Sequence, residues 1–156
     1  MTFDAEALLN QTTETVMPTH LPPVPEGEYA ARIGDGPDDV TVEGFKGKKD
    51  TTKTFYRATV VWYILDEGLK SQLGRDSVRV RQRFFVDLDS NTGAFLEGAD
   101  KNVQLGALRE AVGLNQGTFS LARLRGAGPA LVRIIQTADE KDPAIKYSEV
   151  SRVTKL

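Results

Sequence analysis

Period-two patterning dominates the middle of this chain and most narrows what it can become. TFYRATVVWYIL (residues 54–65) and SVRVRQRFFVDL (77–88) both alternate between two kinds of side chain. A β-strand sends successive side chains to opposite faces, so each run reads as a strand with one buried side. In the second run Val78, Val80, Gln82, Phe84 and Val86 share one face, and Arg79, Arg81, Arg83 and Phe85 the other. In the first, Tyr56, Ala58, Val60, Trp62 and Ile64 form the core side and leave Phe55, Arg57, Thr59, Val61 and Tyr63 outside. Paired, the two strands give a sheet with an apolar inner face and a basic, aromatic outer one.

The flanking sequence supplies more strands and one clear helix. YAARI (29–33) starts a first strand that GDGPDD interrupts and VTVEGF resumes, followed by a polar tip, KGKKDTTK. DEGLKSQLGRD (66–76) connects the two long strands. Over 100–112 the period changes to about 3.6, with Val103, Ala107, Leu108, Ala111 and Val112 on one side and Gly113 placed to stop a helix. ALVRIIQT, the turn ADEKDPA and IKYSEVSRVTKL complete a terminal hairpin. Residues 4–10 have room for two helical turns. Four of the seven prolines fall within 11–26, so residues 1–26 read as an acidic, Pro-rich leader and 27–156 as the folded domain.

Three strand regions, a helix and a hairpin predict a mostly β fold, a five-stranded OB-type Greek-key barrel with one α-helix between strands three and four. A β-grasp or an SH3-like barrel uses similar elements. In the OB arrangement ligands lie across strands two and three, flanked by the loops joining strands one to two and four to five.

Composition removes several functions. The 156 residues contain no Cys, hence no disulfide or thiolate metal site, and one His, His20, in the Pro-rich stretch. DLDSNTG (87–93) begins like a calcium loop but has Thr92 where Gly is needed and Gly98 where Glu is needed. Asp87 and Asp89 lack further acidic company for a Mg²⁺ site. With no nucleophile placed near a base, no enzyme, metal or cofactor is expected. No run approaches the ~18 apolar residues that span a bilayer, so no membrane association and a cytoplasmic location are expected.

Net charge is −2, divided unevenly: residues 1–40 carry eight carboxylates against Arg32, and residues 41–156 carry 19 Lys and Arg against 14 Asp and Glu. A basic body suits a polyanion. Arginines on one strand face lie about 6.5–7 Å apart, close to the phosphate spacing of an extended nucleic-acid strand. Aromatics among them suit single strands, whose exposed bases stack. The candidate binding residues are Lys46, Lys48, Lys49 and Lys53 in the tip, Phe55, Arg57 and Tyr63 on strand two, Arg75 before strand three, and Arg79, Arg81, Arg83 and Phe85 on it. The bland alternative pairs each Arg with a cross-strand carboxylate, but residues 54–65 contain none.

PEGEY (25–29), LGALREAVGL (105–114), the L-x-G-x-G-P-A-L-V-R-I entry to strand four and the final IKYSEVSRV together resemble small bacteriophage single-stranded DNA-binding proteins of the OB-fold class, over residues 25–154. The resemblance implies nonspecific binding and protection of single-stranded DNA during phage replication or recombination. By it, Arg57, Arg79, Arg81 and Arg83 would lie against the nucleic acid. Replication or recombination proteins are the further partners it suggests; homodimerisation is allowed for, with no interface named by the sequence. Many such proteins end in an acidic tail, whereas this chain ends SRVTKL, so residues 1–28 are expected to take the tail's part by lying over the basic face. The runner-up is a protein-interaction or virion structural module using the same basic β-barrel face.

Overall fold

β3 (Thr54–Ile64) organises the molecule because three other strands pair along its two edges. The computed structural model describes residues 3–156. Before β3 come α1 (Ala5–Leu9), β1 (Gly27–Ile33) and β2 (Val40–Lys46). After it come α2 (Glu67–Leu73), β4 (Arg79–Val86), α3 (Val103–Ala111), a 3-10 turn (Leu121–Leu124), β5 (Ala130–Ala138) and β6 (Lys146–Thr154). The six strands form one mixed sheet in the order β1-β5-β6-β4-β3-β2. Because β1 also pairs with β3, five strands follow one another around a closed ring, with β2 outside it. All pairings are antiparallel except β4 with β6, where Arg81 faces Glu149.

Six strands replace the expected five because the first is cut in two. β1 and β2 lie on the same edge of β3, β1 opposite Trp62–Ile64 and β2 opposite Thr54–Val60. Between them the chain turns over Asp39, whose carboxylate accepts the Gly36 amide at 2.9 Å. The ladder persists through the break, with Gly34 donating to the Val61 carbonyl and Val61 donating to that of Asp39. Gly34 is required there, since a β-carbon would come within 2.4 Å of both the Asp39 carboxylate and the Tyr63 ring.

The single expected body helix gains a companion, α2, in what the sequence presented as a connection. Asp66 caps its start by accepting the Leu69 amide at 3.0 Å, Gly74 ends it in a left-handed conformation, and Leu69 is buried beneath it. α3 forms close to its expected place but presents a different face. Leu105, Leu108 and Ala111 are buried, whereas Val103 is 61 % exposed and Ala107 is also exposed. Its orientation is fixed by Asn102 at φ 53°, clamped to Asp87: the Asp87 amide donates to Asn102 Oδ1 at 2.7 Å and the Asn102 amide to Asp87 Oδ2 at 2.8 Å.

The core lies inside the ring, where Ile33, Val60, Trp62, Ile64, Val132 and Ile134 are fully buried. Burying an aromatic side chain of 150–250 Å² at ~25 cal/mol per Å² contributes about 4–6 kcal/mol before entropy is charged. Trp62 keeps its polar atom satisfied, with Nε1 donating to buried Gln82 Oε1 at 2.9 Å. α1 buries nothing and is held by its Asp4 cap. The leader's far end is fastened instead: Val24 is buried, its amide donates to Ser148 Oγ at 2.6 Å and its carbonyl accepts Gln136 Nε2 at 3.0 Å. Tyr29 donates its hydroxyl to the Pro25 carbonyl, and burial, followed by the Asp66 carboxylate, raises its pKa above the usual 10.0. Among the described residues no helix is long and apolar enough to cross a membrane.

Candidate nucleic-acid interface

Cross-strand registers turn the outer face of β2, β3 and β4 into rows. Phe45 stands opposite Phe55; Glu43, Arg57 and Phe85 form the next row. Thr59 faces Arg83, Val61 faces Arg81, and the far row is Arg32, Tyr63 and Arg79. One end is therefore aromatic, the middle basic, and the far end a tyrosine between two arginines.

At the aromatic end Phe45, Phe55 and Phe85 are 38, 42 and 55 % exposed. Their ring centroids lie 6.0 Å apart (Phe45–Phe55), 6.0 Å (Phe45–Phe85) and 6.3 Å (Phe55–Phe85). The Arg57 guanidinium sits 5.6 Å from the Phe45 centroid and is hydrogen-bonded to Glu43. A cluster of three phenylalanines on an exposed sheet face is a surface that gains by being covered.

The arginines divide into two pairs. Arg57 is held by Glu43 and Arg83 by Glu149, which β6 brings to the edge of β4. Arg79 and Arg81 are exposed and, among the described residues, join no ion pair. Carboxylate pairing thus claims half of the row, Glu43 from the hairpin neighbour β2 and Glu149 from β6, which no local pattern places beside β4.

The remaining candidates scatter. Lys46 alternates to the side opposite Phe45 and donates to Thr54 Oγ1 at 3.0 Å. Lys48, Lys49 and Lys53 are exposed in the β2–β3 tip, which is closed by Gly47 donating to the Lys53 carbonyl at 3.0 Å. Within that tip hydrogen bonds from the Thr52 hydroxyl and then its amide hold Asp50 below the usual carboxylate range. Gly47 lies under Phe55, since a β-carbon there would meet the ring at 2.9 Å. Arg75 belongs to the α2–β4 connection and donates to the Pro22 carbonyl at 2.6 Å, off the outer face. Tyr63 is half-buried, its hydroxyl 3.3 Å from Asp39 Oδ1.

Three face residues escaped the sequence reading. Phe45 and Glu43 are legible by alternation along VTVEGF, beside the lysines of the expected set. Arg32 is brought to the face by β1 pairing with β3, which no local pattern announces. Of the carboxylates in residues 3–28, the part of the 1–28 segment among the described residues, only Glu28 joins an ion pair, with Arg133 on β5, and none pairs with Arg57, Arg79, Arg81 or Arg83. Likewise, among the described residues no group of three His, Cys, Asp or Glu is poised for a metal ion. No family model, curated protein or solved structure matches the chain.

Proposed function

We propose that the outer face of β2, β3 and β4 binds single-stranded DNA without sequence preference, in protection of strands during phage replication or recombination, and without catalysis. The observation that carries this reading is the exposed trio of Phe45, Phe55 and Phe85 beside Arg79 and Arg81, two cations free of carboxylate partners among the described residues. Phosphates seek the cations while the rings offer platforms for bases, at about 1–3 kcal/mol per stacked base.

Strand order supports the same reading. Counting β1 and β2 as one interrupted strand, the ring runs first, second, third, fifth, fourth and back to first, with α3 between the third and fourth. That order is compatible with the expected OB-type Greek-key barrel, a fold whose second and third strands carry the ligand. The lysine tip between β2 and β3 then takes the place of one flanking loop, and the β5–β6 turn the other.

A second reading, an interaction module for an acidic protein, draws on the two arginines already engaged by Glu43 and Glu149. Titration of a fluorescent oligo-dT at several salt concentrations, with duplex competitor, separates the two when repeated with Phe55→Ala. The DNA reading expects preference for single strands and a roughly 5- to 150-fold loss in the variant, the equivalent of one stacked base. An unchanged affinity in a normally melting Phe55→Ala protein would leave only the electrostatic reading.

A further inference from the structure

At the end of the arginine row opposite the phenylalanines, the outer face opens into a pocket of about 410 Å³. Arg32, Gly34, Asp35, Tyr63, Leu65 and Gly126 line it. Its size falls in the range of small-ligand sites, roughly 300–1,000 Å³. It is continuous with the binding face, because Tyr63 stands opposite Arg32 on one side and Arg79 on the other. From Phe85 to Arg79 is six residues along β4, about 20 Å, or roughly three steps of an extended strand.

The walls are fixed in place. Arg32 is anchored by Nη1 donating to the carbonyls of Gly126 (3.1 Å) and Gly128 (3.0 Å), which leaves its other donors available. Tyr63 is positioned by Asp39 and by the close approach at Gly34. Leu65, 43 % exposed, supplies an apolar surface. Asp35 is exposed, and among the described residues its carboxylate accepts no hydrogen bond and joins no ion pair.

A carboxylate at this point repels phosphate, so what enters beside it must present N–H groups. Nucleobases do so, and their flat faces suit Tyr63 and Leu65. Guanine alone among the DNA bases offers two adjacent N–H donors, N1–H and the N2 amine, to the two oxygens of one carboxylate, and it has acceptors for an Arg. Thymine offers a single N–H. Resting on the single-stranded DNA reading, we propose that this pocket receives one base of the bound strand and that Asp35, with Arg32, makes it select guanine, so that a track indifferent to sequence ends in one discriminating position.

The test compares an oligo-dT of about eight nucleotides with the same strand carrying one dG, or one dA, walked along its length. A bidentate base contact discriminates by about 5- to 150-fold. The expected result is tighter binding of that order for at least one dG position, absent for dA, and abolished in Asp35→Ala and Asp35→Asn proteins with normal melting curves. Strands that bind with no gain from dG at any position, or a dG gain that survives in both variants, overturn the pocket assignment and leave the parent reading standing. Failure of every strand to bind removes both.

Discussion

If the proposed face binds single-stranded DNA, Glu149 and a phosphate compete for Arg83, and neutralising Glu149 tests that proposal by gain rather than loss. The pair is only partly covered, with side chains 37 and 27 % exposed, so breaking it should cost the fold no more than about 1 kcal/mol. For a phosphate the change is larger, because an Arg becomes available and a negative charge leaves the track. A unit charge about 6 Å away contributes roughly 0.7 kcal/mol in a water-like dielectric and more where water is thinned, so about 1 kcal/mol is expected at low salt. Glu149→Gln should thus bind oligo-dT roughly 5-fold more tightly at low salt, and its plot of log K against log salt should steepen by about 0.7 for one more neutralised phosphate. Fluorescence anisotropy across salt concentrations reads both quantities. Arg83→Ala should cost more when combined with Glu149→Gln than alone, which a double-mutant cycle measures. Unchanged affinity and slope, or weaker binding, would refute the claim that Glu149 and a phosphate share Arg83.

Other outcomes follow from the same geometry. Arg81→Ala should flatten the salt slope by about 0.7, whereas Arg75→Ala, whose guanidinium serves Pro22 off the face, should leave it alone. Gln82→Leu strands the Trp62 indole N–H in the core and should lower stability by about 1–3 kcal/mol in urea titration; a change below about 0.5 kcal/mol would contradict the buried hydrogen bond. The raised pKa of Tyr29, caused by burial and then Asp66, favours the neutral phenol in the folded state. Its contribution is whole below the unfolded value near 10.0 and is lost as pH rises through the higher folded value. Stability should fall more steeply above pH 10 in the native protein than in Tyr29→Phe.

Both faces of β3 and β4 were legible because alternation is a local signal. Val80, Gln82, Phe84 and Val86 are buried and Arg79, Arg81, Arg83 and Phe85 exposed, as period two requires. Partners were not legible. The arginines looked free because residues 54–65 carry no acid, yet Glu149 reaches β4 from its other edge through a parallel pairing, and Glu43 reaches Arg57 from β2. α2 was hidden by having a single buried apolar residue, although Asp66 and Gly74 marked both its ends. The buried face of α3 differs from the expected one because periodicity alone does not reveal where an Asn102–Asp87 clamp starts the first turn.

The parallel contact between β4 and β6 also bears on how the molecule assembles. β2, β3 and β4 are successive antiparallel neighbours, joined through the 47–53 tip and the 65–78 connection that carries α2, whereas β6 must return from the far end of the chain to join β4, and β5 to join β1. Loop entropy places those long-range closures late and makes them slow. The three strands that carry the phenylalanines and arginines are therefore the portion able to form first, and Glu149 reaches Arg83 only when the ring shuts.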